Sequence, residues 1–264
     1  MSKPHGIAWL NMPDYKGESW NPITGCTPVS EGCANCYAMA MAKRLQAMGS
    51  PNYKNGFDVA FHPEVLNKVA HWKKPRFVFA CSMSDLFHKD VPFKVQAEII
   101  EAIEHVGSEF DIGLHGGRGH IFVILTKRPS IMRKFIKTQQ GCFDNLPNLW
   151  LGVSVENQER AYERIPILMK TPIAMRVVSV EPMLGPVDIV GRWMVNGPDW
   201  VIVGCESGPK RRPCKIEWVE SIVEQCKFSR IPCFVKQIDL GGRVSHNMNE
   251  WPESLRVQQW PEMR

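Results

Sequence analysis

Short runs of wholly apolar residues alternate with helical stretches through most of this chain, and that rhythm restricts the fold more than any other feature. Six strands are expected, at Arg76–Cys81, His120–Thr126, Leu149–Val155, Ala174–Val180, Trp200–Cys205 and Cys233–Gln237. They are rich in Val, Ile, Phe and Trp, and several are apolar throughout. A strand must be covered on both faces to tolerate that, which is the condition of a parallel sheet flanked by helices. Between them, helices are expected at Ala34–Met48, Phe93–Gly107, Ser130–Thr138, Gln158–Met169 and Ile216–Ser229. Asn157 can cap the helix that Gln158 begins, Pro129 suits a first turn, Gly107 closes one helix, and Thr171-Pro172 stops another. A further strand near Trp20–Gly25 brings the count to about seven βα units. Alternating elements of this kind call for crossover connections.

The expected fold class is therefore α/β, a partial or distorted TIM-like (β/α) barrel with parallel strands. The 264 residues suit one such barrel, and the 44% apolar content supports a large core. No composition break divides the chain, so one domain is expected over residues 1–264. About 1–19 would form an N-terminal extension, Gly49–His71 a loop or insertion, and about 241–264 a C-terminal tail. No apolar run approaches the roughly 20 residues of a membrane span. The polar Met1–His5 is not followed by the apolar stretch of a signal peptide, so a cytoplasmic protein with no membrane partner is expected.

Nine cysteines are many for this length, and an odd number argues against a disulfide framework. Six of them (Cys81, Cys142, Cys205, Cys214, Cys226 and Cys233) are dispersed and read as small core residues. The other three fall within eleven residues, Cys26-Thr-Pro-Val-Ser-Glu-Gly-Cys33-Ala-Asn-Cys36, spaced C-x6-C-x2-C. Pro28 and Gly32 let that loop wrap. Three thiolates so placed can hold three irons of a [4Fe-4S] cluster and leave the fourth open. An open iron can chelate S-adenosylmethionine, and an electron passed to its sulfonium yields a 5′-deoxyadenosyl radical. Zinc is the rival, with a fourth ligand from His5, His62 or Cys81. Unligated core cysteines are the plain alternative. The motif precedes the first helix, so it lies on a βα loop, and such loops form the catalytic face of a barrel.

Polar residues recur where the later strands end. Ser82, Ser84 and Asp85 follow the second strand, and Lys127 and Arg128 the third. Ser154 and Glu156 close the fourth, Ser179 and Glu181 the fifth, Glu206 and Ser207 the sixth, and Lys236 and Gln237 the seventh. Strand ends meet solvent, so each has an ordinary explanation. Together, acids beside cations suit a pocket for a zwitterionic amino acid and a ribose. Ser82, Ser84, Asp85, Ser154, Glu156, Glu181 and Glu206 are candidate cofactor-binding residues, and Lys127 and Arg128 could meet a carboxylate. Cys205 and Tyr37 are candidate radical relays, and Lys236 a third candidate catalytic group. The net charge of +5 and the clusters Lys73–Lys74–Arg76, Lys127–Arg128 and Lys210–Arg211–Arg212 are compatible with a nucleic-acid partner without requiring one. His115 and His120 stand close together, but no H-E-x-x-H pattern is present.

With these residues assembled, the chain resembles a phage gene-product family of radical-SAM-like proteins with a three-cysteine motif. The matching stretches include Trp20-Asn21-Pro22-Ile23-Thr24-Gly25-Cys26, Gly32-Cys33-Ala34-Asn35-Cys36-Tyr37-Ala38 and Ser82-Met83-Ser84-Asp85-Leu86-Phe87. Later ones are Leu125-Thr126-Lys127-Arg128-Pro129, Leu151-Gly152-Val153-Ser154-Val155-Glu156-Asn157, Ser179-Val180-Glu181-Pro182, Val203-Gly204-Cys205-Glu206-Ser207-Gly208 and Phe234-Val235-Lys236-Gln237. The resemblance covers about Ile7 to Gln237. Cys205 stands where that family usually has glycine, and C-x6-C-x2-C is wider than the common C-x3-C-x2-C. It implies a TIM-like barrel of radical-SAM type, a [4Fe-4S] cluster on Cys26, Cys33 and Cys36, S-adenosylmethionine as co-substrate, and an electron donor of flavodoxin or ferredoxin type. Three activities are then in view. The first is modification or rearrangement of a nucleobase, such as a thymidine adduct in phage DNA, flipped out to be reached. The second is radical repair of a DNA lesion. The third is no enzyme at all, but a zinc-binding, nucleic-acid-binding protein.

Overall fold

A computed structural model gives the architecture and describes residues 6–111, 119–139, 143, 146–189, 191 and 197–262. The chain is α/β. Its main sheet contains β1 (Lys16–Trp20), β4 (Arg76–Ala80), β5 (Ile121–Thr126), β6 (Leu149–Ser154), β7 (Met175–Val180), β8 (Trp200–Gly204), β9 (Cys233–Leu240) and β10 (Arg243–Ser245), in that order across the sheet. β2 (Ile23–Thr24) and β3 (Ala60–Phe61) form a separate antiparallel pair. The helices are α1 (Tyr37–Ala47), α2 (Pro63–Leu66), α3 (Phe93–Asp111), α4 (Pro129–Thr138), α5 (Gln158–Met169) and α6 (Ile216–Ser229). Two compact units can be distinguished, interleaved in sequence with no linker between them. No helix among the described residues is long and apolar enough to cross a membrane.

The first unit comprises Met1–Thr27, Ala38–Leu151 and Pro172–Ala174. Here β1, β4 and β5 are parallel neighbours, with Glu18 opposite Val78 and Val78 opposite Phe122. Phe77, Val78, Phe122, Val123 and Ile124 are fully buried, as wholly apolar strands require. The expected first strand is displaced. Sheet pairing falls on Lys16–Trp20, while Ile23–Thr24 turns away to pair with Ala60–Phe61. A polar edge strand, Lys-Gly-Glu-Ser-Trp, has only one neighbour to pack on and so leaves no apolar run to read. The expected N-terminal extension is likewise part of the fold: Trp9 and Leu10 are buried, and the Trp9 ring meets Phe77 edge-on at 5.8 Å. The segment expected as an insertion, 49–71, is tied down by Trp20 Nε1 donating to the Val65 carbonyl at 3.0 Å. α3 runs on through Gly107 to Asp111 instead of stopping at the glycine.

The second unit comprises Pro28–Tyr37, Gly152–Thr171 and Met175–Arg264. β7, β8 and β9 are parallel, and Val177, Val201, Ile202, Val203 and Phe234 are fully buried. Asn157 caps α5 as expected, its Oδ1 accepting from Arg160 N at 3.0 Å. The segment expected as a C-terminal tail, about 241–264, covers the outer edge of β9. β10 pairs antiparallel with it over Ile238–Leu240. Farther along, Val235 N donates to Val257 O at 2.8 Å and Gln259 N to Cys233 O at 2.9 Å. Trp251 and Leu255 are buried, and Trp200 Nε1 donates to Gln259 O at 2.8 Å. An edge that would otherwise present open backbone groups is thereby paired.

Candidate functional site

Cys26 ends the first unit's part of the cysteine loop, and its position is determined by close backbone packing. Gly25 has φ +84°, and a Cβ there would lie 2.0 Å from the Asp58 carbonyl oxygen, so only glycine fits. Gly25 N donates to Met83 O at 3.0 Å and Cys26 N to Phe57 O at 3.2 Å. The Arg128 guanidinium then gathers the surroundings. It donates to Cys26 Sγ at 3.4 Å, to Asp85 Oδ2 at 2.8 Å and to the Thr27 carbonyl at 2.7 Å. Burial alone would lower the Arg128 pKa, but Asp85 and Cys26 together raise it above its ordinary value. A fixed cation beside a sulfur favours the thiolate, the form that binds metal.

Asp85 does not present a vacant carboxylate to a ligand. It is buried and accepts from Thr126 Oγ1 at 2.7 Å, Lys127 N at 3.2 Å, Phe87 N at 3.0 Å and Arg128. Its work is to join the loops that follow β4 and β5. Ser82 Oγ donates to Asn21 Oδ1 at 3.1 Å, and the Ser84 hydroxyl faces the Cys81 thiol. Cys81 itself has φ 59°, a left-handed conformation that costs a side-chain-bearing residue on the order of 1–3 kcal/mol. Burial pushes its thiol up to about 12, so it stays protonated.

In the second unit two of the strand-end acids expected to hold a cofactor, Glu156 and Glu206, are turned onto the cysteine loop. Glu156 is fully buried and accepts from Arg164 Nη1 at 3.1 and 3.3 Å and from Ser30 Oγ at 2.8 Å. Arg164 Nη1 also donates to the Ser154 carbonyl at 2.7 Å. A Cβ on Gly32 would lie 2.3 Å from Glu156 Cγ, so the glycine next to Cys33 rests directly on this acid. Glu206 accepts from Arg212 N at 2.7 Å, Arg212 Nε at 3.0 Å and Asn35 Nδ2 at 3.0 Å, and is also ion-paired through Arg212 Nη2. Burial would raise the Glu206 carboxyl, yet the bonds from Arg212 and Asn35 hold it below the usual range. Arg212 Nη1 reaches the Glu31 carbonyl at 2.9 Å, and the Glu31 carboxylate takes Asn157 Nδ2 and Arg160 Nε. Thus Ser30, Glu31, Gly32 and Asn35, the residues around Cys33 and Cys36, are each held. Cys36 N closes a tight turn onto Cys33 O at 3.3 Å, which delays the start of the helix from the expected Ala34 to Tyr37.

The remaining candidates fall as follows. Glu181 is ion-paired with Lys236, and Gln237 Nε2 donates to Glu181 Oε1 at 3.1 Å and to Cys205 O at 2.8 Å. Cys205 is fully buried, which pushes its thiol up to about 12. Tyr37 is exposed at the start of α1. The basic run is largely spent internally. Arg211 pairs with Asp239 at 2.7 Å, and Arg212 with Glu206. His5, His115 and Cys142 lie outside the described residues. Sequence reasoning missed Ser30, Glu31, Asn35, Arg164, Thr27 and His88. Ser30, Glu31 and Asn35 carried a usable clue, since three hydrogen-bonding side chains sit inside one metal-type motif.

His88 carries a pH dependence. It is buried, and its Nε2 lies 2.7 Å from Thr27 Oγ1. Burial, then the Arg128 charge, lowers its pKa; burial also lowers that of His62, at 2.8 Å from Thr24 Oγ1. Each binds a proton more readily unfolded than folded. Their contribution to stability is full above about pH 6.5 and declines as the pH falls below it. Unfolding midpoints in urea are expected to drop between pH 7.5 and 5.5, and less so in His88→Asn. The carboxylates with lowered pKa values act only below about pH 4.5, outside that window. A midpoint constant across the range would contradict this account.

None of Cys26, Cys33 and Cys36 is in a disulfide, and all three are partly exposed, whereas Cys81, Cys205, Cys214, Cys226 and Cys233 are buried. Among the described residues, no group of three His, Cys, Asp or Glu stands ready to hold a metal ion. By donor type and sequence spacing alone, three partly exposed thiols within eleven residues are of the kind that a thiophilic centre such as iron–sulfur or zinc takes. No curated protein and no solved structure matches the chain. Residues 12–258 match a family described as protein of unknown function (DUF5131), and the chain belongs to that family.

Proposed function

We propose that this chain is a radical S-adenosylmethionine enzyme with a [4Fe-4S] cluster on Cys26, Cys33 and Cys36, on a partial TIM-like barrel. The observation that carries the reading is the division among thiols: only these three of the eight described cysteines are accessible. When bound, such a cluster would supply one electron to the sulfonium of S-adenosylmethionine, breaking a C–S bond to leave methionine and a 5′-deoxyadenosyl radical.

The chain's own residues have defined tasks in this scheme. Arg128 stabilises the Cys26 thiolate and orients the loop through the Thr27 carbonyl. Glu156 and Glu206, with Arg164 and Arg212, act as positioning residues for Ser30, Glu31 and Asn35. Cys205, kept as S–H by burial, is suited to give a hydrogen atom to a carbon radical. Lys236, paired with Glu181, is a cation for a carboxylate or carbonyl of the substrate. The substrate favoured is a modified nucleobase of thymidine type in DNA. Direct phosphate binding by Arg211 and Arg212 is not part of the scheme, because both are already paired.

The test is anaerobic purification and reconstitution. Brown protein with about four irons and four sulfides per chain is expected. Dithionite should then release 5′-deoxyadenosine from S-adenosylmethionine, and DNA bearing a thymidine adduct should change the yield. Ultraviolet-damaged DNA as the better substrate would favour repair over modification. A colourless chain carrying one zinc would overturn the radical reading.

A further inference from the structure

The second unit contains a cavity that the proposed chemistry does not use. It measures about 940 Å³, near the upper end of the range for small-molecule sites. It lies where strands begin: Met175 opens β7, Asp199 precedes β8 and Cys233 opens β9. Glu181 and Glu206, which follow β7 and β8, are therefore at the other end of these strands. Every residue that lines the cavity falls between Met175 and Glu262, inside one compact unit.

Its lining is neutral within and charged outside. Cys226 and Cys233 are buried, and the hydrogen bond between them, then burial, raises the Cys226 pKa, so that thiol keeps its proton. Ile231 and Val257 add apolar surface, and the Trp260 ring is held against Phe234 with centroids 5.1 Å apart. Lys227 and Arg230 are exposed, and neither is ion-paired among the described residues. Of the two acids that also line the cavity, Asp199 already accepts from Arg176 N at 2.8 Å, which leaves Glu262 against two cations. Arg230 stands in an unusual place for its type. It has φ 56° at the end of α6, its N–H donating to Lys227 O at 3.3 Å while Ile231 N returns to Cys226 O at 2.9 Å. Glycine or asparagine is the usual residue at such a left-handed cap. An arginine there accepts a strained backbone, and such strain points to a use for the side chain.

We propose that this cavity binds a small aromatic anion, its ring against Trp260 and the apolar wall and its anionic group on Arg230 and Lys227. An aryl carboxylate and a nucleoside monophosphate share that chemistry. The site does not depend on the iron–sulfur reading, and binding there involves no covalent step.

The probe is 1-anilinonaphthalene-8-sulfonate, an aromatic sulfonate, titrated into the full chain and followed by its fluorescence. Saturable binding of one probe per chain is expected, weakening as salt rises from roughly 50 to 300 mM. The uncharged N-phenyl-1-naphthylamine should bind about fivefold more weakly. Arg230→Asn, which suits a left-handed cap, and Lys227→Gln should each weaken the sulfonate about fivefold and leave the neutral probe unchanged. Lys137→Gln, an exposed change on α4, should alter neither. Trp260→Phe should keep the probe bound and reduce its tryptophan-sensitised emission. Displacement by indole-3-acetate assigns an aryl carboxylate, and displacement by thymidine 5′-monophosphate a nucleotide; displacement by neither overturns the proposal. So does equal affinity for the two probes. If Arg230→Asn lowers only the urea midpoint and leaves the sulfonate bound as before, Arg230 serves the end of the helix alone and the proposal falls.

Discussion

If the three thiols hold the proposed cluster, Cys33→Ser is expected to fold normally and to lose it. Cys33 is partly exposed on a turn, where serine is close in size and equally tolerated, so stability should change by less than about 0.5 kcal/mol. Its hydroxyl is a poor ligand for iron, however, and the loop would offer two thiols in place of three. Iron content and absorbance near 400 nm should collapse. Release of 5′-deoxyadenosine should fall at least about 100-fold, since even the loss of an outer-shell partner costs 10–100-fold. Cys226→Ser supplies the contrast. Cys226 is buried, hydrogen-bonded to Cys233 and raised in pKa by that bond and by burial. Its replacement should lower stability and leave iron per folded chain unchanged. Full iron loading in Cys33→Ser would sink the three-thiol assignment.

Arg164→Ala should be among the most destabilising single changes in the chain. Arg164 and Glu156 are both fully buried, and the guanidinium satisfies the carboxylate and the Ser154 carbonyl at once. Removing it strands a buried charge, a loss of about 3–5 kcal/mol. The melting temperature should fall by on the order of 10 °C. Because Ser30 and Gly32 also rest on Glu156, amides of the 28–37 segment should exchange faster than the rest of the second unit. The double variant Arg164→Met/Glu156→Gln should recover much of the loss, since it leaves no unpaired charge. Loss of less than about 1 kcal/mol in Arg164→Ala would mean that Glu156 does not anchor the loop.

Particular elements show where sequence reasoning stopped. β5 and β8 were legible because a strand buried on both faces must be apolar along nearly its whole length, and composition alone then marks it. The cap at Asn157 was legible because capping is local. β1 was misplaced by four residues because an edge strand of Lys-Gly-Glu-Ser-Trp is specified by its neighbour, not by its own hydropathy. The tail from Gly241 was unreadable for the same reason: Val257 and Gln259 are ordered by backbone bonds to β9, some twenty residues away in sequence.

By itself the sequence determined the parallel α/β plan, the two classes of cysteine and the recurrence of acids and cations at strand ends. All of these follow from local composition and spacing. Only the tertiary structure decided what the strand-end groups do. Glu156 and Glu206 are the partners of Ser30 and of Asn35, the latter 171 residues distant in sequence, Arg128 is that of Cys26 and Thr27, and Asp85 is that of Arg128; their charges are largely satisfied by protein atoms. Spacing shows which residues share a face, but a buried charge must find its partner in three dimensions, and that pairing has no short-range signature.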